Sequence, residues 1–517
     1  MLSLVTSAAL TGVDSRLVQV EVDAAPGLPC FNIVGLPDAA VRESRDRVRA
    51  AVLNSALDFP ANRRLTANLA PAHLRKEGPS FDLPLALGVL ASLQVYDPAR
   101  LRGCLFIGEL SLDGGLRPVR GALSVALEAR RAGLQRLALP AANAAEAAVV
   151  EGIEVLPLDS LRQAVDWLAG APAPKAPGLD LDALFSVRDP YGVDLSDVKG
   201  QAPVKRALEV AAAGGHNLLM IGPPGSGKTL LARNLPGILP DLNRWEALEV
   251  TRVHSSAGLL PPGRSLVSAR PFRAPHHTVS AAGLVGGGGL PRPGEITLAH
   301  LGVLFLDELP EFGRHALEVL RQPLEDGRVT LSRARGSLTF PGRCMVAAAM
   351  NPCPCGHLGD PRRGCGCTPR QVEHYLSRLS GPLLDRLDIQ VRVPPLPFGE
   401  LAAAPGGERS EAVRARVNRA RARQNLRLNS AESGVHCNAQ MGPAEIRATC
   451  ALDAAGQGLL KSAVERLGLS ARGFDRLLKV ARTIADLDGQ DGVLVRHLAE
   501  AVQYRSLDRP ALAGRPG

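Results

Sequence analysis

No stretch of this sequence approaches the ~18 consecutive apolar residues that a membrane-crossing helix needs, and Met1 to Leu10 lacks the basic start of a secretory signal. The expectation is a cytoplasmic protein with no membrane partner. Cysteine is sparse, nine in 517 residues, which excludes a disulfide framework. No short-period internal repeat is found, and the glycine run Gly286 to Gly289 is the low-complexity patch worth naming. Hydrophobic residues at 45% and charged residues at 21% exclude a disordered or fibrous chain. What remains is length and positive charge. At ~150 residues per domain the chain asks for roughly three or four units. Its net charge of +9 favours a polyanionic partner, with nucleic acid first.

The Pro/Ala/Gly stretch Gly170 to Gly178 has no apolar periodicity and reads as a linker. Before it, strand-like segments (Leu17 to Val22, Leu105 to Ile107) mix with the helical Ala122 to Ala132. A second break, Pro394 to Gly407, precedes a mostly helical tail, with Glu411 to Arg427 and Ala454 to Leu487 as its helices. The expected domains are 1–169, a linker at 170–186, a core at 187–395 and a helical lid at 396–517.

Asn217 to Ile221 reads as a buried strand, followed at once by Gly222-Pro223-Pro224-Gly225-Ser226-Gly227-Lys228-Thr229 and a helix from Leu230. This is the full P-loop pattern in its required context, and its chemistry calls for ATP with Mg²⁺. The glycines let backbone N–H groups close around phosphates, Lys228 reaches the β- and γ-phosphates, and the Thr229 hydroxyl ligates Mg²⁺. A second strand, Val303 to Leu306, ends in Asp307-Glu308. There Asp307 would hold Mg²⁺ while Glu308 orients or deprotonates the attacking water. A third, Met345 to Ala349, leads to Asn351, placed to bond the same water or the γ-phosphate, or else a plain turn residue before Pro352.

Cys353, Cys355, Cys365 and Cys367 form C-x-C, nine residues, C-x-C. Four thiolates so close suit a structural, tetrahedral Zn²⁺ that would fix a loop with almost no apolar core; reduced free thiols are the alternative. The pair His276-His277 has no further ligand at a recognisable spacing and receives no role.

The order P-loop, Leu304-Phe-Leu-Asp-Glu308, strand-Asn351, Leu383-Leu-Asp-Arg386-Leu-Asp388 and Ser470-Ala-Arg472 resembles AAA+ proteins of the magnesium chelatase-like branch. More closely, nearly the whole chain resembles the YifB/ComM family. That resemblance implies an α/β fold: an AAA+ P-loop core with a parallel sheet, a Lon-protease-like α+β domain before it and a helical lid after it. It matches Asn351 to sensor 1, Arg386 to the arginine finger and Arg472 to sensor 2. A finger must reach the γ-phosphate of a neighbouring subunit, so a homohexamer is implied. A salt bridge from Arg386 to Asp385 or Asp388 is the plain alternative.

Glu77-Gly-Pro-Ser80, Gly108 to Gly115 and Pro118 to Gly121 resemble the Lon-protease-like fold, but the segment where that family carries its lysine reads Gly121-Ala-Leu-Ser-Val-Ala126. Without that base, Ser80 is read as a turn or cap residue and the domain as a binding or assembly module. Two features bear on DNA. Arg416, Arg419, Arg423 and Arg427 form one basic stripe at helical spacing, which is a DNA contact or a solvated face. Arg328 to Phe340 alternates as a β-hairpin about Gly336, with Arg333 and Arg335 at its tip as DNA contacts. The function implied by the resemblance is an ATP-dependent DNA helicase for branch migration of branched or single-stranded DNA in natural transformation. The alternatives are a magnesium chelatase motor subunit and a Lon-like protease.

Overall fold

A computed structural model describes residues 2–60, 62–176, 178, 192–261, 263–288, 291–333, 336–360, 363–402, 406–428 and 435–505. Residue 177 and residues 179–186 of the expected linker lie outside them, as does Arg335 of the hairpin tip. Among the described residues no helix is long and apolar enough to cross a membrane. By contact the chain divides into two compact units.

The first is a mixed seven-stranded sheet in the order Cys30–Val34, Arg63–Ala70, Asp14–Pro26, Leu2–Thr11, Cys104–Phe106, Arg136–Pro140, Glu154–Leu158. Its founding hairpin pairs Leu2 with Asp23 through to Thr11 with Asp14, and the alternation of Val18, Val20 and Val22 buries one face. Helix Asp82–Ser92 is buried along its whole length. It approaches the sheet so closely at Gly88 that a Cβ there would stand 2.6 Å from Val22 Cγ2. Ser80 lies in the short turn Pro79–Phe81, and its carbonyl accepts from Gly108 N at 2.9 Å. It is a turn residue and caps nothing; Gly78 occupies the capping position. Helix Arg244–Ala257, which the sequence places within the ATPase segment, packs in this first unit on Ala122–Arg131. Gly121 N donates to Ser255 O at 3.1 Å, and Arg244 pairs with Glu151 at 2.6 Å.

The second unit holds a five-stranded, all-parallel sheet in the order Phe272–Arg273, Val303–Leu306, Met345–Met350, Leu218–Ile221, Ile389–Arg392. The three central strands are buried throughout, as parallel strands covered on both faces must be. Helix Ser410–Leu428 packs on Ala202–Gly214 and on Ala471–Leu487. The expected helix Ala454 to Leu487 is two helices, Ala454–Leu467 and Ala471–Leu487. Gly468 takes φ 64°, and the Ser470 side chain then caps the second helix by accepting from Gly473 N. The hairpin forms as strands Arg328–Arg333 and Gly336–Pro341, so Gly336 opens the second strand.

Candidate active site

In a parallel sheet, ligands bind beyond the carboxyl ends of the strands, where the strand order reverses. Three adjacent strands end here in the residues the sequence singles out. Leu218–Ile221 runs into Gly222, Val303–Leu306 into Asp307, and Met345–Met350 into Asn351. Gly222 has no room for a side chain, since a Cβ would lie 2.2 Å from Val393 O; Gly225 and Gly227 take φ 76° and 90°. These turns are what successive backbone amides need to line an anion site.

Lys228 opens the helix Lys228–Arg233 and is buried. Its Nζ donates to Gly222 O (2.7 Å), Pro223 O (2.8 Å) and Asn351 Oδ1 (3.3 Å). Burial pushes the ammonium below its ordinary pKa, and the Asp307 and Glu308 charges oppose that shift. Thr229 Oγ1 donates to Asp307 Oδ2 at 2.8 Å, so the two residues expected to share Mg²⁺ already touch. The buried hydroxyl of Ser226 has no hydrogen-bond partner among the described residues, an unfilled donor within the loop that a phosphate oxygen would satisfy. The residues present therefore fit a magnesium-bound nucleotide.

Glu308 adopts φ 52°, a costly conformation for a non-glycine residue, and its carboxylate meets His277 Nδ1 at 3.3 Å. His277 in turn lies against His276, with ring centroids 4.0 Å apart. The sequence showed the histidine pair but not its partner.

Arg386 is not exposed at the surface, and it pairs with neither Asp385 nor Asp388. It is 5% exposed, donates through Nη1 to Pro382 O at 2.5 Å, and pairs through Nη2 with Glu325. Arg472, the second residue of helix Ala471–Leu487, is exposed and reaches the same Glu325 oxygen at 3.5 Å. The two arginines are thus brought together, by a carboxylate that carried no motif. The stripe on Ser410–Leu428 is largely engaged within the chain: Arg416 with Glu209 and Glu408, Arg423 with Asp491, and Arg427 with the buried Asp486. Of its four members Arg419 is the exposed one. Arg333 ends its strand, and its side chain lies outside the described residues.

Cys353, Cys355, Cys365 and Cys367 place their sulfurs within 4.8 Å of one another, with pairs at 3.4, 3.6 and 3.6 Å. A tetrahedron with Zn–S bonds of about 2.3 Å has S···S edges of about 3.8 Å, whereas a disulfide would need about 2.05 Å, so the set fits a metal. The Leu358 and Cys367 amides donate to Cys353 Sγ (3.3 Å) and Cys365 Sγ (3.4 Å), as thiolates require. A backbone hydrogen bond from His357 leads the interactions that hold Cys355 down to about 6, whereas Cys353, pushed up chiefly by burial, and Cys365 and Cys367 stand above the ordinary thiol value. The cysteine loop also leans on the P-loop. Gly356, at φ 82°, could not carry a Cβ without meeting Pro224 Cδ at 2.5 Å.

Family models described as magnesium chelatase subunit ChlI match residues 20–143 and 194–401, and a model of the C-terminal part of that subunit matches 407–505. The chain is 46% identical over 519 residues to the YifB protein of Escherichia coli, and 44% identical over 513 residues to the competence protein ComM of Haemophilus influenzae. Each alignment covers 98% of both chains. It is 27% identical over 146 residues to the Lon protease of Bacillus thuringiensis, a match covering 27% of this chain and 18% of that one.

Proposed function

The chain belongs to the YifB/ComM family of magnesium chelatase-like AAA+ proteins, and from that premise we propose that it is an ATP-driven DNA motor. In this reading it is a homohexameric helicase that promotes branch migration as incoming DNA recombines in natural transformation. The supporting observation is the meeting of Lys228, Thr229, Asp307 and Asn351 at the ends of three adjacent parallel strands. On binding ATP, Lys228 exchanges its loop carbonyls for the β- and γ-phosphates. Thr229 and Asp307 would hold Mg²⁺, which supplies charge neutralisation between the phosphates when bound. Glu308 orients the attacking water and accepts its proton, and Asn351 fixes the γ-phosphate beside it. Arg386 and Arg472, which meet at one Glu325 oxygen, stabilise the charge that develops on the transferred phosphoryl group, both acting across a subunit boundary. The four cysteines hold Zn²⁺ in a structural role.

The DNA half of the reading is supported by the net charge of +9, by the hairpin between the Asp307 and Asn351 strands, and by a relative named as a competence protein. Two variants test the ATPase site. Lys228→Ala should lose nucleotide binding. Glu308→Gln should still bind ATP while turnover falls by about 10² or more, because only the transition state loses help. Near wild-type turnover in Glu308→Gln would remove the carboxylate from its assigned role.

A further inference from the structure

The two arginines assigned to phosphate meet one oxygen, Glu325 Oε1. A third, Arg321, stands one turn earlier on Glu325's own helix, Arg321–Asp326, and its charge also bears on Arg386. One carboxylate therefore pairs with two guanidinium groups, and the Arg321 charge adds to the positive field at Arg386. Arg386 is buried, yet among the described residues its Nε–H has no hydrogen-bond partner, and its two terminal nitrogens are the ones engaged. A buried donor without an acceptor is costly, and Glu325, which meets both arginines through the one oxygen Oε1, does not reach that Nε–H as it is placed. A phosphate, with more oxygens and more charge, can. The members also differ in freedom. Arg386 is 5% exposed and tied down, whereas the Glu325 side chain is 44% exposed and sits at the end of a short helix closed by Gly327 at φ 64°. Of the buried Arg386 and its partner, the carboxylate is the member able to leave.

We propose that Glu325 is a placeholder for the γ-phosphate of a neighbouring subunit's ATP. It holds Arg386 and Arg472 together as one anion site until that phosphate is presented, and then gives way to it. The proposal rests on the reading of Arg386 as a finger acting across a subunit boundary. An ordinary exposed ion pair would be worth little and would compete with nothing. Here the arginine that must move onto phosphate is buried against the carboxylate, so every nucleotide that engages it first displaces Glu325. Glu325 is accordingly a positioning residue that acts through Arg386 and Arg472.

Removing its charge without changing its shape should tighten binding of whatever carries a γ-phosphate and leave ADP alone. The test uses the full-length, assembled protein with ADP and with ADP–beryllium fluoride, which fills the γ position. In Glu325→Gln the affinity for ADP–beryllium fluoride should rise by about tenfold, the low end of what one hydrogen bond to a charged group contributes, with ADP affinity unchanged. Glu325→Ala should move in the same direction. A merely structural role for Glu325 would weaken both ligands together. Unchanged or weaker ADP–beryllium fluoride binding in both variants overturns the placeholder. Arg386→Ala separates this failure from that of the underlying reading. If Arg386→Ala hydrolyses ATP like the wild type, the finger assignment falls and the placeholder with it. If Arg386→Ala is inactive but the Glu325 variants bind ADP–beryllium fluoride no tighter, the placeholder alone is wrong.

Discussion

Asp388 is buried where the start of the P-loop strand meets the C-terminal helices. Its Oδ2 accepts from Asn217 N at 3.0 Å, Arg476 stands 3.4 Å from its Oδ1, and His216 lies 3.7 Å away. Burial alone would raise this carboxyl, but the His216 imidazole, the Arg476 charge and the Asn217 amide together hold it below its ordinary value. A carboxylate depressed in the folded state stabilises it above the unfolded pKa of about 4, and the contribution disappears as pH falls through the lower folded value. Asp388→Asn should therefore cost about 3 kcal/mol in urea unfolding at neutral pH, because Arg476 loses its partner. The gap to wild type should narrow only below about pH 4. A gap that does not change with pH would place the cost in packing. Residues such as Lys228, Thr229 and Asp307 were legible in the sequence because each belongs to a contiguous motif beside a recognisable strand. Glu325 and His277 were not. Each owes its place to a partner distant in sequence, Arg386 in one case and Glu308 in the other, and no local pattern encodes that meeting.

The cysteine loop follows Asn351 directly and packs on Pro224 through Gly356, so a metal that orders this loop also braces the phosphate site. The purified protein should carry about one Zn²⁺ per chain. Its removal by a chelator should lower ATP turnover and thermal stability together. Metal-free protein, prepared without chelators and fully active, would contradict the assignment. Strand segments were read well from sequence, and Val303–Leu306 was placed to the residue, because short apolar runs bounded by charge have one plausible use. The break within Ala454 to Leu487 was missed because helical periodicity continues in phase across Gly468 and the Ser470 cap. The basic stripe was half read: spacing predicts a face, but the acidic partners that occupy it come from Glu209, Asp491 and Asp486. Of the two DNA contacts proposed, the hairpin is therefore the one to test first. Replacing Arg333 and Arg335 by alanine should flatten the slope of log affinity against log salt by about 1 to 2 per engaged subunit, with ATP binding unchanged. An unchanged slope would move the contact elsewhere.

For the whole molecule, relatives aligned along 98% of their length and of this chain mean that the Lon-like unit, the ATPase core and the C-terminal helices are inherited as one machine. The segment where the Lon resemblance expects a lysine reads Gly121-Ala-Leu-Ser-Val-Ala126, and the function proposed above takes ATP hydrolysis as the chemistry and DNA as the cargo that the positive charge favours. A motor couples the two, so its turnover must depend on what it moves. The most direct test is steady-state ATP hydrolysis by the wild type and by Glu308→Gln with a four-way junction, with forked DNA and without DNA, following strand movement in the same reactions. The account predicts that DNA accelerates wild-type turnover several-fold, branched substrates most, that strands move only while ATP is consumed, and that Glu308→Gln loses both. Wild-type hydrolysis at the same rate with and without every DNA, and no strand movement, would contradict it and leave an ATPase whose work lies elsewhere.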